Sequence, residues 1–207
     1  MLILSSPSIS GLVAIEPIFK VVIEKHGLPD AWIRDEGFAT LCRIILEQQV
    51  SLESAFSAWR QLQTKLNEIT PYSILSLDQQ QMKACYVSRQ KARYLHALSN
   101  AVINGDLILD YLSEKQPQEV IDHLTQVTGI GPWTAQVYLI FALRSPDIYP
   151  KGDVALNNAV KKLWNIQSSE EVYLKSESWA PYRTTASFLL WHHYLSERGR
   201  DVSHLYD

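Results

Sequence analysis

The stretch Leu124 to Tyr138, LTQVTGIGPWTAQVY, sets two glycines around one hydrophobic residue and follows them with a proline. Gly129 and Gly131 let the chain turn through positive φ and leave bare backbone, and Pro132 suits the first turn of a following helix. Amides of such a turn and of the helix start, from Gly129 to Thr134, point outward together, and with the helix dipole they form an anion site of phosphate size. Ile130 is expected to face inward and pin the flanking helices. An ordinary helix–helix turn explains the same spacing. A carboxylate follows 22 residues after Gly131: Asp153 stands directly before VALNNAVKKLW, where the simplest role of an aspartate is to cap a helix. Two cysteines, Cys42 and Cys85, cannot make a disulfide framework, a four-thiolate zinc site or an iron–sulfur cluster. His192 and His193 are adjacent, so they project to different sides of a helix, and no HExxH spacing occurs. They are read as structural residues or phosphate contacts, not as ligands of a catalytic metal.

The elements that must position these groups are helical. Leu52, Ala55, Phe56, Trp59, Leu62 and Leu66 recur at three- and four-residue steps and share one face. Similar patterns cover about 11–25, 38–48, 88–102, 117–126, 132–143, 154–164 and 181–197. Pro71, Pro117 and Pro181 sit where a first helical turn tolerates proline, and Ser168 to Glu171 reads as a capping box. Period-2 strands are absent from the pattern. The chain is predicted to be all-α, with about nine or ten helices joined by short turns. A crossing between two lobes is placed near Tyr111 to Lys115, giving lobe one about 1–37 plus 113–207, lobe two about 38–112, and a hairpin at about 117–143.

With 207 residues, 46% hydrophobic and 20% charged, the chain can bury a sizeable core. No apolar stretch approaches the roughly 20 residues of a membrane helix, and the opening MLILSSPSIS lacks the features of a secretion signal. A cytoplasmic protein without membrane attachment is expected. The net charge of −3 argues by itself against a phosphate-rich partner. Its distribution argues otherwise, because Gln79 to Gly105 holds Lys83, Arg89, Lys91 and Arg93 and no acid, leaving 15 basic against 22 acidic residues elsewhere. Either one face is basic or this is a solvated helix.

Helix, Gly-hydrophobic-Gly turn and helix together resemble the helix-hairpin-helix motif of DNA repair proteins, which grips DNA through main-chain contacts to phosphates and so needs few lysines. With the Pro-Lys-Gly-Asp loop before Asp153 added, the chain is similar to the helix-hairpin-helix (HhH-GPD) DNA glycosylase superfamily. FATLCRIILEQQVS looks like that family's helix ending in a glutamine-containing loop, YVSRQKARYLHALS like its basic helix, and WAPYRTTASFLLWHH like its closing helix. From about Phe38 to His193 the order and spacing are those of the 3-methyladenine DNA glycosylase II branch. The implied fold is two-lobed and all-α, with the active site in the cleft between lobes.

The resemblance implies a monofunctional glycosylase that flips out an alkylated purine, of the 3-methyladenine or 7-methylguanine type, and hydrolyses its N-glycosidic bond. Asp153 is the implied catalytic residue, stabilising the oxocarbenium-like sugar, a role compatible with capping. Bifunctional relatives carry a Schiff-base lysine where this chain has Trp133, and Lys151 is off that position, so no strand cleavage is expected. Gln49 is the candidate plug for the hole left by the flipped base. Gln48, Ser51, Gly129, Ile130, Gly131, Trp133, Thr134, Arg89 and Lys91 are the implied DNA contacts, although Gln48 and Gln49 also suit a polar helix end. Trp133 and Trp191 match pocket aromatics, and Tyr138 is a further candidate although the family's aromatic falls at Val137. Six tryptophans in an all-α chain are otherwise mostly core. Main-chain carbonyls of Thr125, Val127 and Gly129 match a Na⁺ or K⁺ site at the hairpin. No cofactor is required, and no iron–sulfur cluster is expected. The partner is double-stranded DNA containing alkylated bases, bound by a monomer in the nucleoid of a bacterium or the nucleus of a eukaryote. The extra N-terminal strand domain of larger relatives is not expected, leaving that pocket wall open or replaced by residues near Trp32. Two rivals stand: a non-catalytic DNA-binding module, for which Asp153 would only repel phosphate, and an oxidised-purine glycosylase.

Overall fold

The structure is a computed structural model that describes residues 3–30 and 32–200. Among these are twelve α-helices, one 3₁₀ turn at Leu112–Glu114 and no strand. The helices partition into two compact units, one of 1–33 and 144–207 and one of 34–143. The chain therefore crosses at Leu143 to Arg144, not near residue 113, and the hairpin belongs with the unit that holds 38–112.

The first unit contains α1 (Ser6–Ile15), α2 (Ile18–His26), α10 (Val154–Trp164), α11 (Ser169–Glu177) and α12 (Arg183–Ser196). The single helix expected over 11–25 is two, because Pro17 lacks an amide and cannot continue the ladder, so α1 ends at Ile15 and α2 starts beyond it. Helix α12 begins at Arg183, two residues later than the proline signal suggested. Ser168 and Glu171 form the predicted capping box of α11. α12 packs on α10, α2 and α1. Its apolar face joins Leu12, Phe19, Tyr149, Leu156, Val160 and the fully buried Trp179 in one core.

The second unit contains α3 (Phe38–Glu47), α4 (Leu52–Leu66), α5 (Pro71–Leu75), α6 (Gln79–Ala84), α7 (Arg89–Ile103), α8 (Pro117–Leu124) and α9 (Pro132–Phe141). The two shortest, α5 and α6, escape a periodicity reading, yet each opens with a capping box, Thr70 with Ser73 and Asp78 with Gln81. α3 is the central element and packs on α4, α7 and α9. It buries Leu41, Cys42, Ile44, Ile45 and Leu46, and its last residue, Glu47, takes a two-pronged bond from the buried Arg34 at 2.7 and 2.9 Å.

Candidate active site

In the second unit, α8 and α9 are joined by a turn whose two glycines have different tasks. Gly129 lies at φ +95°, and a Cβ there would stand 2.2 Å from Cγ of Tyr94 on α7, so both backbone and packing require glycine. Gly131 has an ordinary φ of −94°, caps α9, is exposed and has open space where a side chain would be. Ile130 is buried between them, as the sequence predicts. The bare, outward part of the turn is thus Gly131, next to first-turn amides that have no carbonyl acceptor within α9.

The loop after α3 is tied to this turn. Gln48 Nε2 donates to the Gly129 carbonyl and to Thr134 Oγ1, both at 2.9 Å, so Gln48 and the buried Thr134 side chain are spent inside the protein. Gln49, by contrast, is exposed and sits at φ 54°, a strained position for a non-glycine residue, which presents its side chain on a tight turn. Ser51 caps α4 by accepting from Ser54 N at 3.2 Å. Arg89 is exposed at the start of α7, whereas the Lys91 ammonium donates to the Leu46 carbonyl at 2.6 Å. Burial lowers the pKa of Lys91, which is half-buried and serves the C-terminus of α3 with one of its three N–H donors.

Tyr138 is enclosed in the core of the second unit. Its ring is fully buried, and its hydroxyl oxygen accepts the Gly37 N–H at 2.7 Å at the start of α3, while burial raises its pKa to about 12. The residue at the family's aromatic position, Val137, is buried as well. Trp133, at the second position of α9, is half-buried.

The carboxylate lies in the first unit. Thr184 Oγ1 donates to the Ser145 carbonyl at 2.7 Å and accepts from Ile148 N at 3.0 Å, which fixes the loop entering α10 on α12. Gly152, at φ +86°, turns the chain so that Asp153 caps α10. The carboxylate is 8% exposed, and its Oδ1 accepts from Leu156 N at 2.9 Å and from the Trp191 indole N–H at 3.3 Å. Trp191 is half-buried on α12 and meets Phe188 edge-on at 6.1 Å, and Phe188 stacks on the buried Trp32 at 5.5 Å. Lys151 places its ammonium 4.2 Å over the Tyr173 ring. Tyr149, unmarked by the sequence reading, is buried four residues before Asp153 with a hydroxyl that finds no hydrogen-bond partner. Burial, and then the Asp153 charge, push its ionisation up. Only its spacing from the aspartate could have signalled it.

An all-helical chain with this hairpin and a carboxylate buried at the next helix start defines a class. Residues 42–182 match the model of the HhH-GPD superfamily base excision DNA repair protein, and the chain belongs to that superfamily. It is 31% identical over 165 residues to DNA-3-methyladenine glycosylase 1 of Schizosaccharomyces pombe, covering 76% of this chain and 72% of that protein. It is 28% identical over 181 residues to the putative DNA-3-methyladenine glycosylase YfjP of Bacillus subtilis, covering 82% of this chain and 63% of that protein. The fold superposes on S. pombe 3-methyladenine DNA glycosylase Mag1 in complex with abasic DNA with a TM-score of 0.84 at 26% identity, over 93% of this chain and 97% of that one. Among the described residues no helix is long and apolar enough to cross a membrane.

Proposed function

We propose that this chain is a monofunctional DNA glycosylase of base excision repair, which turns an alkylated purine out of double-stranded DNA and hydrolyses its N-glycosidic bond to leave an abasic site. The observation that carries the reading is Asp153, a nearly buried carboxylate whose Oδ1 is held by two N–H donors. Capping alone is served as well by an uncharged Ser or Asn, and a DNA-binding module gains nothing from a charge that repels phosphate. A carboxylate fixed before reaction stabilises the positive charge that develops on the sugar as the base departs, and it pays no reorganisation at that moment. The cationic base takes the bonding electron pair and leaves neutral, and water then adds to the sugar carbon and loses its proton to solvent.

The other residues bind and orient. Gly131 and the first-turn amides of α9 take a phosphate oxygen, Arg89 adds an exposed positive charge, and Gln49 fills the place of the extruded nucleotide. The faces of Trp133 and Trp191 favour a cationic alkylated purine over a neutral base. Carbonyls of Thr125, Val127 and Gly129 would hold a monovalent cation beside the phosphate; Val127 and Gly129 each accept one hydrogen bond already, which leaves a lone pair on each oxygen. Absence of lyase chemistry rests on Trp133 standing where bifunctional enzymes have lysine and on the engagement of Lys151 with Tyr173. The names of the two glycosylase relatives support alkylated purines as substrate. Action as a monomer in the compartment that holds DNA follows from the same reading.

Incubation with DNA treated by a methylating agent, followed by chromatography of the released bases, tests it. Release of 3-methyladenine or 7-methylguanine by the natural chain and none by Asp153→Asn is the expected result. DNA binding without any release would establish the binding module, and release confined to oxidised purines the other rival.

A further inference from the structure

Away from Asp153, the first unit carries a cluster that the reaction does not use. His26 ends α2, and His193 and Glu197 lie one turn apart at the end of α12. One ligand atom from each falls within 4.8 Å of the others. His193 is 5% exposed, and neither of its ring nitrogens has a hydrogen-bond partner. His26 Nε2 is buried and stands 3.3 Å from Glu197 Oε1. Buried imidazole nitrogens without partners are costly, and His193 has two of them close to this carboxylate.

We infer that His26, His193 and Glu197 form a binding site for a borderline divalent ion such as Zn²⁺, which clasps the end of α2 to the end of α12. Three observations carry this. Bonds of about 2.0–2.2 Å at tetrahedral angles put neighbouring ligand atoms about 3.3 Å apart, which is the separation that His26 Nε2 and Glu197 Oε1 already have. Two imidazoles and a carboxylate are a recurrent zinc donor set, and a fourth position stays open to water. Both helices present their C-terminal ends, whose dipoles favour a cation. The His26 imidazole is placed by its own backbone, since the His26 carbonyl lies 2.9 Å from His192 Nε2.

Lys25 and Lys162 now hold Glu197 Oε1 and Oε2 at 2.5 and 2.6 Å, and both lysine side chains are largely exposed. They are counter-ions that can swing into water when a metal takes the carboxylate. A shallow depression of about 300 Å³, bordered by Asn158, Lys162, His193 and Glu197, gives an ion its way in.

The full chain, stripped with a chelator and dialysed against Zn²⁺, is expected to retain about one ion and to gain about 5–10 °C in Tm when the ion is at 100 times its Kd. Substituting Co²⁺ gives visible d–d absorption from a site of low coordination number. Glu197→Gln, which leaves the core untouched, weakens binding at least about 10-fold, and Lys25→Met tightens it about 3-fold by removing a competing cation. His26→Gln must lose the Co²⁺ band. Retention below about 0.1 ion per chain, or Co²⁺ spectra unchanged by Glu197→Gln and His26→Gln, overturns the site.

Discussion

The Trp191 indole N–H and the Leu156 amide converge on one oxygen of Asp153, at 3.3 and 2.9 Å. The helix cap and the aromatic residue thus orient a single carboxylate atom, and the chemistry proposed for Asp153 would fall on the group that caps α10. Asp153→Asn keeps an acceptor oxygen for Leu156 N and loses the charge. Its single-turnover base release should fall by at least about 100-fold, with DNA affinity within about 3-fold of the natural chain and Tm nearly unchanged. Full activity of this variant would remove Asp153 from the mechanism.

Trp191→Phe retains an aromatic face and deletes the N–H. A single hydrogen bond of this length is worth about 1 kcal/mol, so release should slow about 5-fold, while the order of preference among alkylated bases stays the same. Rates on 3-methyladenine and 7-methylguanine substrates measured side by side decide this. A change of preference with no change of rate would assign Trp191 to base selection alone.

The hairpin glycines separate by experiment. Gly129→Ala forces a side chain into Tyr94 at a left-handed φ and should lower Tm by about 5 °C or more, through about 2 kcal/mol or more of strain. Gly131→Ala meets nothing, and its φ is ordinary. Its Tm should fall by no more than about 3 °C while DNA affinity drops several-fold, if the proposed phosphate contact is made there. Thermal melts with fluorescence anisotropy on the same samples give both readings.

Tyr138→Phe should cost about 1–2 kcal/mol in stability, since the Gly37 N–H loses its acceptor, and leave base selectivity as it was. Denaturant titration and product chromatography test the two halves. Altered selectivity at full stability would return Tyr138 to the pocket.

Borohydride added during turnover should trap no protein–DNA adduct, because no lysine amine occupies the position of Trp133. An adduct that survives Lys151→Gln would place the nucleophile elsewhere.

Much of this arrangement was legible in the residues. Helical periodicity found the long elements, the Gly-Ile-Gly turn was located with its isoleucine inward, and Asp153 was assigned as the cap it is. Pro71 marks the start of α5, but neither α5 nor α6 shows a face, because five or six residues hold too little periodicity, and the Pro17 break is hidden because apolar spacing runs on across it. Tyr138 was misplaced since α9 is buried on most of its surface, so no face stands out as the one turned outward. Partners distant in the chain left no local trace: Gln48 meets Gly129 and Thr134, Lys91 meets Leu46, and His26 meets His193 only once the helices have packed.

The amide of Gln48 also sets a rule for varying this protein. One NH₂ group spends both of its hydrogens on the turn, one on a carbonyl that no substitution can remove and one on a hydroxyl that Thr134→Val would delete. Positions 48 and 134 are therefore not independent letters. A library that randomises the loop around Gln49 should hold residues 48 and 134 fixed or exchange them as a pair, because a half-changed pair strands a polar group under the Gly129–Gly131 turn.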